Sequence, residues 1–258
     1  VSVKSCYPVQ IRSAPLRRPR KMLIFEVFSF VLISVLIVIM DKSSLINRYY
    51  RLKIERMFTT MNAQEVNMRL ENIIFHIDVN SAYLSWEAVY RLAHKGERQD
   101  LRGIASAVGG DITLRHGIIL AKSIPAKAYG IKTGESIPEA RRKCPNLLLV
   151  PPDYGLYEQC SAAFMAILRE YSDVVEQYSI DEAFVDMSAS CHLFGTPEET
   201  AQQIKDRIRE ELGFTVNIGI STNKLLAKMA SDFEKPNLVH TLFSEDIQEK
   251  MWHLPVRD

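Results

Sequence analysis

Three acidic residues stand where a carboxylate is costly unless it is used. Asp78 falls near the end of the apolar run Ile73-Ile74-Phe75-His76-Ile77-Asp78-Val79, and a charge in such a strand must emerge at the sheet edge or meet a cation. Asp181 and Glu182 form a second acidic point inside the stretch Val174 to Met187, which reads as two strands about a tight Ser179-Ile180-Asp181-Glu182 centre. If the strand of Asp78 lies beside this hairpin, three carboxylates converge, and their mutual repulsion calls for divalent metal. Two magnesium ions held that way suit in-line displacement at a phosphate. By spacing alone, an Asp-Glu pair at a turn is more commonly a solvated turn.

Other polar residues point less sharply to chemistry. His76, two residues before Asp78, reads as a satisfied core histidine, and Asp186 as a hydrogen-bonded structural acid. The four cysteines, Cys6, Cys144, Cys160 and Cys191, are scattered without a C-x-x-C pair. That spacing suggests neither a zinc site nor a disulfide framework and fits a reducing compartment. Cys191-His192 lacks further ligands at metal spacing and reads as an ordinary neighbour pair.

The elements that must position the acids follow from periodicity. The run Ile73–Val79 suits a buried strand, residues 81–93 a helix, and Gly117–Ala121 another strand. In residues 156–171, Leu156, Cys160, Ala163, Phe164, Ile167, Leu168 and Tyr171 recur at spacings of three and four, so one helical face is apolar. Thr196-Pro197-Glu198-Glu199 supplies a capping hydroxyl, a first-turn proline and a reciprocal glutamate, and Gly213 stops the helix that follows. Phe214 to Ile220 alternates as a strand, and Ser221 or Thr222 is expected to cap a last helix running to about Glu234. This order suits an α+β fold, an antiparallel sheet with helices on one face.

At 258 residues and 47% hydrophobic content the chain can bury a large core. Its net charge of +1 conceals an asymmetry: residues 1–60 hold 11 Lys and Arg against 3 Asp and Glu, leaving 21 against 28 in the rest. Met22 to Met40 is an apolar stretch whose only charge is Glu26, preceded by Arg17, Arg18, Arg20 and Lys21. It has the pattern of a membrane helix or signal anchor. The preferred expectation is that the first sixty residues reflect a start placed too far upstream, with Met57, Met61 or Met68 as the true start. A cytoplasmic location then follows, and anchoring through residues 22–40 is the alternative.

Four stretches, HIDVNSAYLSWEA, ILAKSIPAKAYGIKTGESI, YSIDEAFVDMS and GISTNKLLAKMASDFEKPN, occur in that order. Together they resemble the Y-family translesion DNA polymerases of the bacterial DinB/UmuC type, over roughly residues 73–258. The resemblance implies that Asp78, Asp181 and Glu182 are the catalytic, metal-binding carboxylates, with the Val79 carbonyl as a further ligand of two Mg2+ ions. It makes Tyr83 the steric gate beneath the sugar, a residue otherwise readable as a core aromatic. Lys235 becomes a lysine that contacts the incoming triphosphate, where alone it reads as a solvated helix terminus. The fingers motif departs from the commoner Tyr-x-Ala-Arg, with Ile124-Pro125-Ala126-Lys127 in its place. Lys127 keeps the charge without the planar fork of arginine. Ile124 has no hydroxyl, and Ser123 beside it is the group that could substitute.

The implied layout is a palm of residues 70–81 and 153–241 and a small fingers domain of residues 82–152 inserted in it. Residues 242–258 begin a thumb cut short, and residues 1–69 form a non-homologous N-terminal segment. The implied function is template-directed, error-prone addition of deoxynucleotides in translesion synthesis and DNA repair. Primer-template DNA and deoxynucleoside triphosphates are the implied partners, with a sliding clamp reached through a part not present. The alternative is a catalytically incompetent fragment that only binds damaged DNA or a partner.

Overall fold

The computed structural model describes residues 72–110 and 117–254. The apolar stretch of residues 22–40 lies outside them, and among the described residues no helix is long and apolar enough to cross a membrane.

The apolar run before the first acid forms β1 (Ile74–Val79), the centre of a five-stranded sheet. On one side it pairs antiparallel with β6 (Glu182–Asp186), which pairs with β5 (Val175–Gln177). On the other side it pairs antiparallel with β7 (Val216–Ser221), and β7 pairs parallel with β8 (Val239–Thr241). The order is therefore β5-β6-β1-β7-β8, antiparallel except at its last pair. A parallel neighbour needs a crossover, which the segment between β7 and β8 supplies.

Alternation along the strands separates two faces. Phe75, Ile77, Val79, Ala183, Val185, Val216, Ile218 and Ile220 are buried in one apolar cluster. Three long helices contribute to it: α1 (Ala82–His94), α4 (Tyr154–Arg169) and α5 (Pro197–Leu212). The periodic face expected before Tyr171 is the buried face of α4, with Leu156, Cys160, Phe164, Ile167 and Leu168 inward. Helix α5 carries the expected capping box, in which Thr196 and Glu199 bond reciprocally, and ends at Gly213 with φ of 77°.

The opposite face carries His76, Asp78, Glu182, Asn217 and Gly219 in register, and the short helix α6 (Lys224–Ser231) lies on it. Gly219 permits that approach: a Cβ there would stand 2.0 Å from the Ala227 carbonyl oxygen and 2.4 Å from the Ser231 nitrogen. The cap of α6 is Asn223, whose side chain accepts from the Leu226 N–H, and not Ser221 or Thr222. Ser221 is the last residue of β7 and donates its hydroxyl to the Leu242 carbonyl. The helix ends at Ser231, short of the expected Glu234.

A second, three-stranded sheet has the order β3-β2-β4, from β2 (Ser106–Gly109), β3 (Ile119–Lys122) and β4 (Leu148–Val150). With α2 (Ile124–Ala128) and α3 (Ile137–Lys143) it encloses its own small core of Ala107, Ile119, Ala126, Ile131, Ile137, Ala140, Cys144 and Leu147. Beyond β8, Leu242 joins Leu226 and Ala230 of α6 in a third cluster, against which Ile247 of the one-turn α7 (Ile247–Lys250) packs.

Candidate active site

Strand pairing brings the three acids together at one end of the large sheet. Asp78 sits opposite Glu182 in the β1–β6 ladder, and the Val79 N–H donates to the Asp181 carbonyl at 3.0 Å. The backbone convergence expected from the sequence is therefore present, but the carboxylates are differently engaged. Glu182 pairs with Lys228 of α6 and lies 3.2 Å from His76 Nε2. Asp78 pairs with Lys235, whose ammonium also reaches Asp232 at 2.8 Å. Asp181 accepts the Ser179 hydroxyl at 2.8 Å. So placed, no three His, Cys, Asp or Glu side chains among the described residues stand close enough to hold a metal ion.

Burial and the paired lysines shift these groups in different directions. Burial pushes the Asp78 carboxyl above the usual range; Lys235 opposes the shift, while Glu182 and Asp181 add to it. For Lys235, burial works against the charge, but Asp78 and Asp232 outweigh it and hold the ammonium above its usual value. Both shifts retain protons, Asp78 through burial and Lys235 through its two carboxylate partners. Glu182 goes the other way: burial opposes ionisation, and Lys228 with His76 outweighs it, holding the carboxyl below its usual value. His76 is buried, and its other ring nitrogen lies 2.7 Å from the Ser231 hydroxyl. It is satisfied as expected, and it also steadies Glu182.

A cleft of about 640 Å³ opens beside these groups, lined by Asp78, Val79, Tyr83, Asp181 and Lys235 from one side and by Lys122, Ile124 and Lys127 from the other. Glu182 is not part of its lining. Tyr83, on the first turn of α1, is fixed by rings: it stacks on Tyr157 at 4.5 Å and 10° and meets Tyr154 edge-on at 6.3 Å. Tyr157 is buried and donates to Glu87 at 3.1 Å. The Tyr83 ring is thus part of an aromatic wall between core and cleft.

Ser123, expected as a substitute phosphate donor, is committed elsewhere. Its hydroxyl donates to the Ile104 carbonyl at 2.6 Å and accepts from the Ser106 and Ala126 N–H groups, both at 3.1 Å. One donor and two lone pairs are all a serine has, so none remains for a ligand; Ser123 is the N-cap of α2. Ile124 next to it is exposed at the cleft mouth. The Lys127 ammonium makes no ion pair with another described residue. Nearby Lys122 donates to Thr133 at 3.0 Å, and burial, then Lys127, pulls its pKa down.

Sequence reasoning missed Lys122, Lys228 and Arg102. Lys122 and Lys228 lie within the quoted stretches but carried no separate signal. Arg102 grips Asp100 through two nitrogens and donates to the Gly213 carbonyl at 2.8 Å, joining the loop after α1 to the end of α5.

Solved structures place this fold in a class. The chain resembles a Y-family DNA polymerase chimera, with a TM-score of 0.61 and 27% identity, over 69% of this chain and 50% of that one. It likewise resembles DinB from Sulfolobus solfataricus, with a TM-score of 0.57 and 27% identity over the same shares. The architecture is that of the Y-family polymerases. Residues 77–232 match the impB/mucB/samB family, and the chain belongs to that family. The DNA polymerase IV of Clostridium acetobutylicum is 51% identical over 187 residues, 72% of this chain and 47% of that protein. That of Acetivibrio thermocellus is 42% identical, over 72% of this chain and 45% of that protein. The chain spans about half the length of these curated relatives.

Proposed function

We propose that the chain is the nucleotide-handling part of a DNA-directed DNA polymerase that adds deoxynucleotides to a primer end, including opposite damaged bases. The observation that carries this reading is the single cleft that gathers Asp78, Asp181, Tyr83, Lys127 and Lys235, residues drawn from four separate stretches of sequence. The larger sheet and its helices act as palm, and the three-stranded unit acts as fingers.

The donor set suits a hard cation. It is all oxygen, with Asp78 opposite Glu182 in the β1–β6 ladder and Asp181 bonded through its carbonyl to the Val79 N–H. Once Lys235 and Lys228 release Asp78 and Glu182, these two carboxylates with Asp181 and the Val79 carbonyl would hold two magnesium ions, which when bound supply charge neutralisation and an activated primer hydroxyl. Lys235 and Lys127 then place positive charge on the triphosphate from opposite walls. The Tyr83 ring, held by Tyr157, fills the space that a 2′-hydroxyl would need, so discrimination against ribonucleotides comes from overlap.

The test is magnesium-dependent primer extension by the full chain. Asp181→Ala is expected to abolish extension, and Tyr83→Ala to admit ribonucleotides with a loss of discrimination of about 1–3 kcal/mol. Retention of primer-template DNA without extension or nucleotide binding would support the non-catalytic alternative. Unchanged extension in Asp181→Ala would remove the carboxylate assignment.

A further inference from the structure

Lys235 sits on the segment that follows α6, yet its ammonium must meet Asp78 on β1. Its own ion pairs do not explain its placement, because the side chain remains about a third exposed and such pairs hold weakly. The brace lies beneath it. Asn217 of β7 stands directly opposite Asp78, fully buried, where an amide is tolerated only if its hydrogen bonds are made.

They all are. The Asn217 amide donates to the carbonyls of Ser231, at 3.1 Å, and Glu234, at 2.5 Å. Its carbonyl oxygen accepts from the Asn80 side chain at 3.1 Å and the Leu238 N–H at 3.3 Å. Asn80, two residues beyond Asp78, completes the frame: its oxygen accepts from the Asn237 N–H at 2.9 Å and the Thr215 hydroxyl at 3.0 Å. Two amides, the buried Asn217 and the half-buried Asn80, thus hold the segment at Ser231 and Glu234 before Lys235 and at Asn237 and Leu238 after it. Lys205 of α5 adds a bond to the Asn237 carbonyl at 3.0 Å.

We propose that Asn217 is a positioning residue for Lys235: it fixes the lysine-bearing segment to the end of β1, so that the ammonium is preset over Asp78 and the cleft. It touches no substrate and acts only through Lys235. Its effect on nucleotide handling rests on the function proposed above; its effect on Lys235 does not.

Two measurements on the full chain separate these. In the first, Lys235 acetylation by an amine-reactive ester is followed by mass spectrometry, with Lys143 and Lys224 as internal references. Asn217→Leu, which keeps the volume and removes all four bonds, is expected to speed modification of Lys235 severalfold and leave the references unchanged. An unchanged Lys235 rate, or equal acceleration at all three lysines, overturns the proposal. In the second, deoxynucleoside triphosphate affinity with magnesium is measured in a double-mutant cycle. Asn217→Leu alone should weaken affinity about tenfold, and should add nothing in the Lys235→Ala background. Additive losses overturn the positioning role. If the parent chain binds no nucleoside triphosphate, the proposed function fails while the acetylation result still judges Asn217. Asn217→Ser, which keeps part of the bonding, carries both measurements if the leucine variant does not fold.

Discussion

The two walls of the cleft present lysines by opposite means. On the wall of the large sheet, Lys235 projects from a segment tied down on both sides by the side-chain amides of Asn80 and Asn217. On the wall of the small sheet, Lys127 projects from the five-residue helix α2, whose cap is a single serine. The difference teaches that a preset charge needs a frame beneath it: one wall is built to hold its cation still, while the other can adjust to what enters. The fixed wall is also the one that carries the carboxylates, where an error of position would matter most.

The sharpest way to break this contrast is to pry apart the fixed wall. Gly219→Ala would force α6 and its Ser231 anchor away from β7, and should cost about 3 kcal/mol in urea unfolding. A cost near zero would mean that α6 is not held as tightly as the amide frame requires. Damage to the adjustable wall should be milder. Ser123→Ala removes the cap of α2 and leaves the Ser106 N–H without its acceptor, and is expected to cost about 1–2 kcal/mol by the same measurement.

Function separates the walls next. Titration with deoxynucleoside triphosphate should show about a tenfold loss for Lys235→Ala and about threefold for Lys127→Ala, because a preset cation loses less entropy on contact than a free one. Equal losses would erase the distinction between the walls.

The smallest effect concerns pH within the fixed wall. The Asp78 carboxyl lies above the usual range because of burial and its acidic neighbours, so between the usual and the raised value the folded chain binds more protons than the unfolded one. Asp78 therefore takes stability away as pH rises through that window. Glu182, held low by Lys228 and His76, adds stability as pH rises from its folded value to the usual one. Asp78→Asn should gain melting temperature relative to the parent as pH rises through the interval above the usual carboxylate range. A relative loss over that interval would reverse the assigned direction.

Much of this was legible in the sequence, and the limit has a physical cause. Features written in local periodicity were read directly: the strand before Asp78, the apolar face of α4, and the capping box and glycine stop of α5. The candidate residues of the cleft came from motif order, which locates side chains without their partners. What escaped were bonds between residues far apart in sequence, such as Glu182 to Lys228 or Asn80 to Asn217, which leave no periodic trace. The commitment of Ser123 to Ile104 escaped for the same reason. One signal was available: Asn217 interrupts an apolar strand, Val216-Asn217-Ile218-Gly219-Ile220, and a polar residue there implies a full set of buried partners. The parallel seating of β8 followed from the path of the chain after α6, which no residue pattern announces.

The aromatic wall beneath the cleft also has an optical consequence. The chain has two tryptophans. Trp252 is 69% exposed, while Trp86 is fully buried, 5.9 Å from Tyr83 and 5.8 Å from Tyr157, and its indole N–H finds no hydrogen-bond partner among the described residues. Trp86 should emit at short wavelength and resist acrylamide, and Trp252 should emit at long wavelength and be quenched. With Trp252→Phe in hand, the remaining fluorescence becomes a label-free gauge of the ring pack behind Tyr83. Anything that settles on that ring should register as a change in tyrosine-to-tryptophan energy transfer.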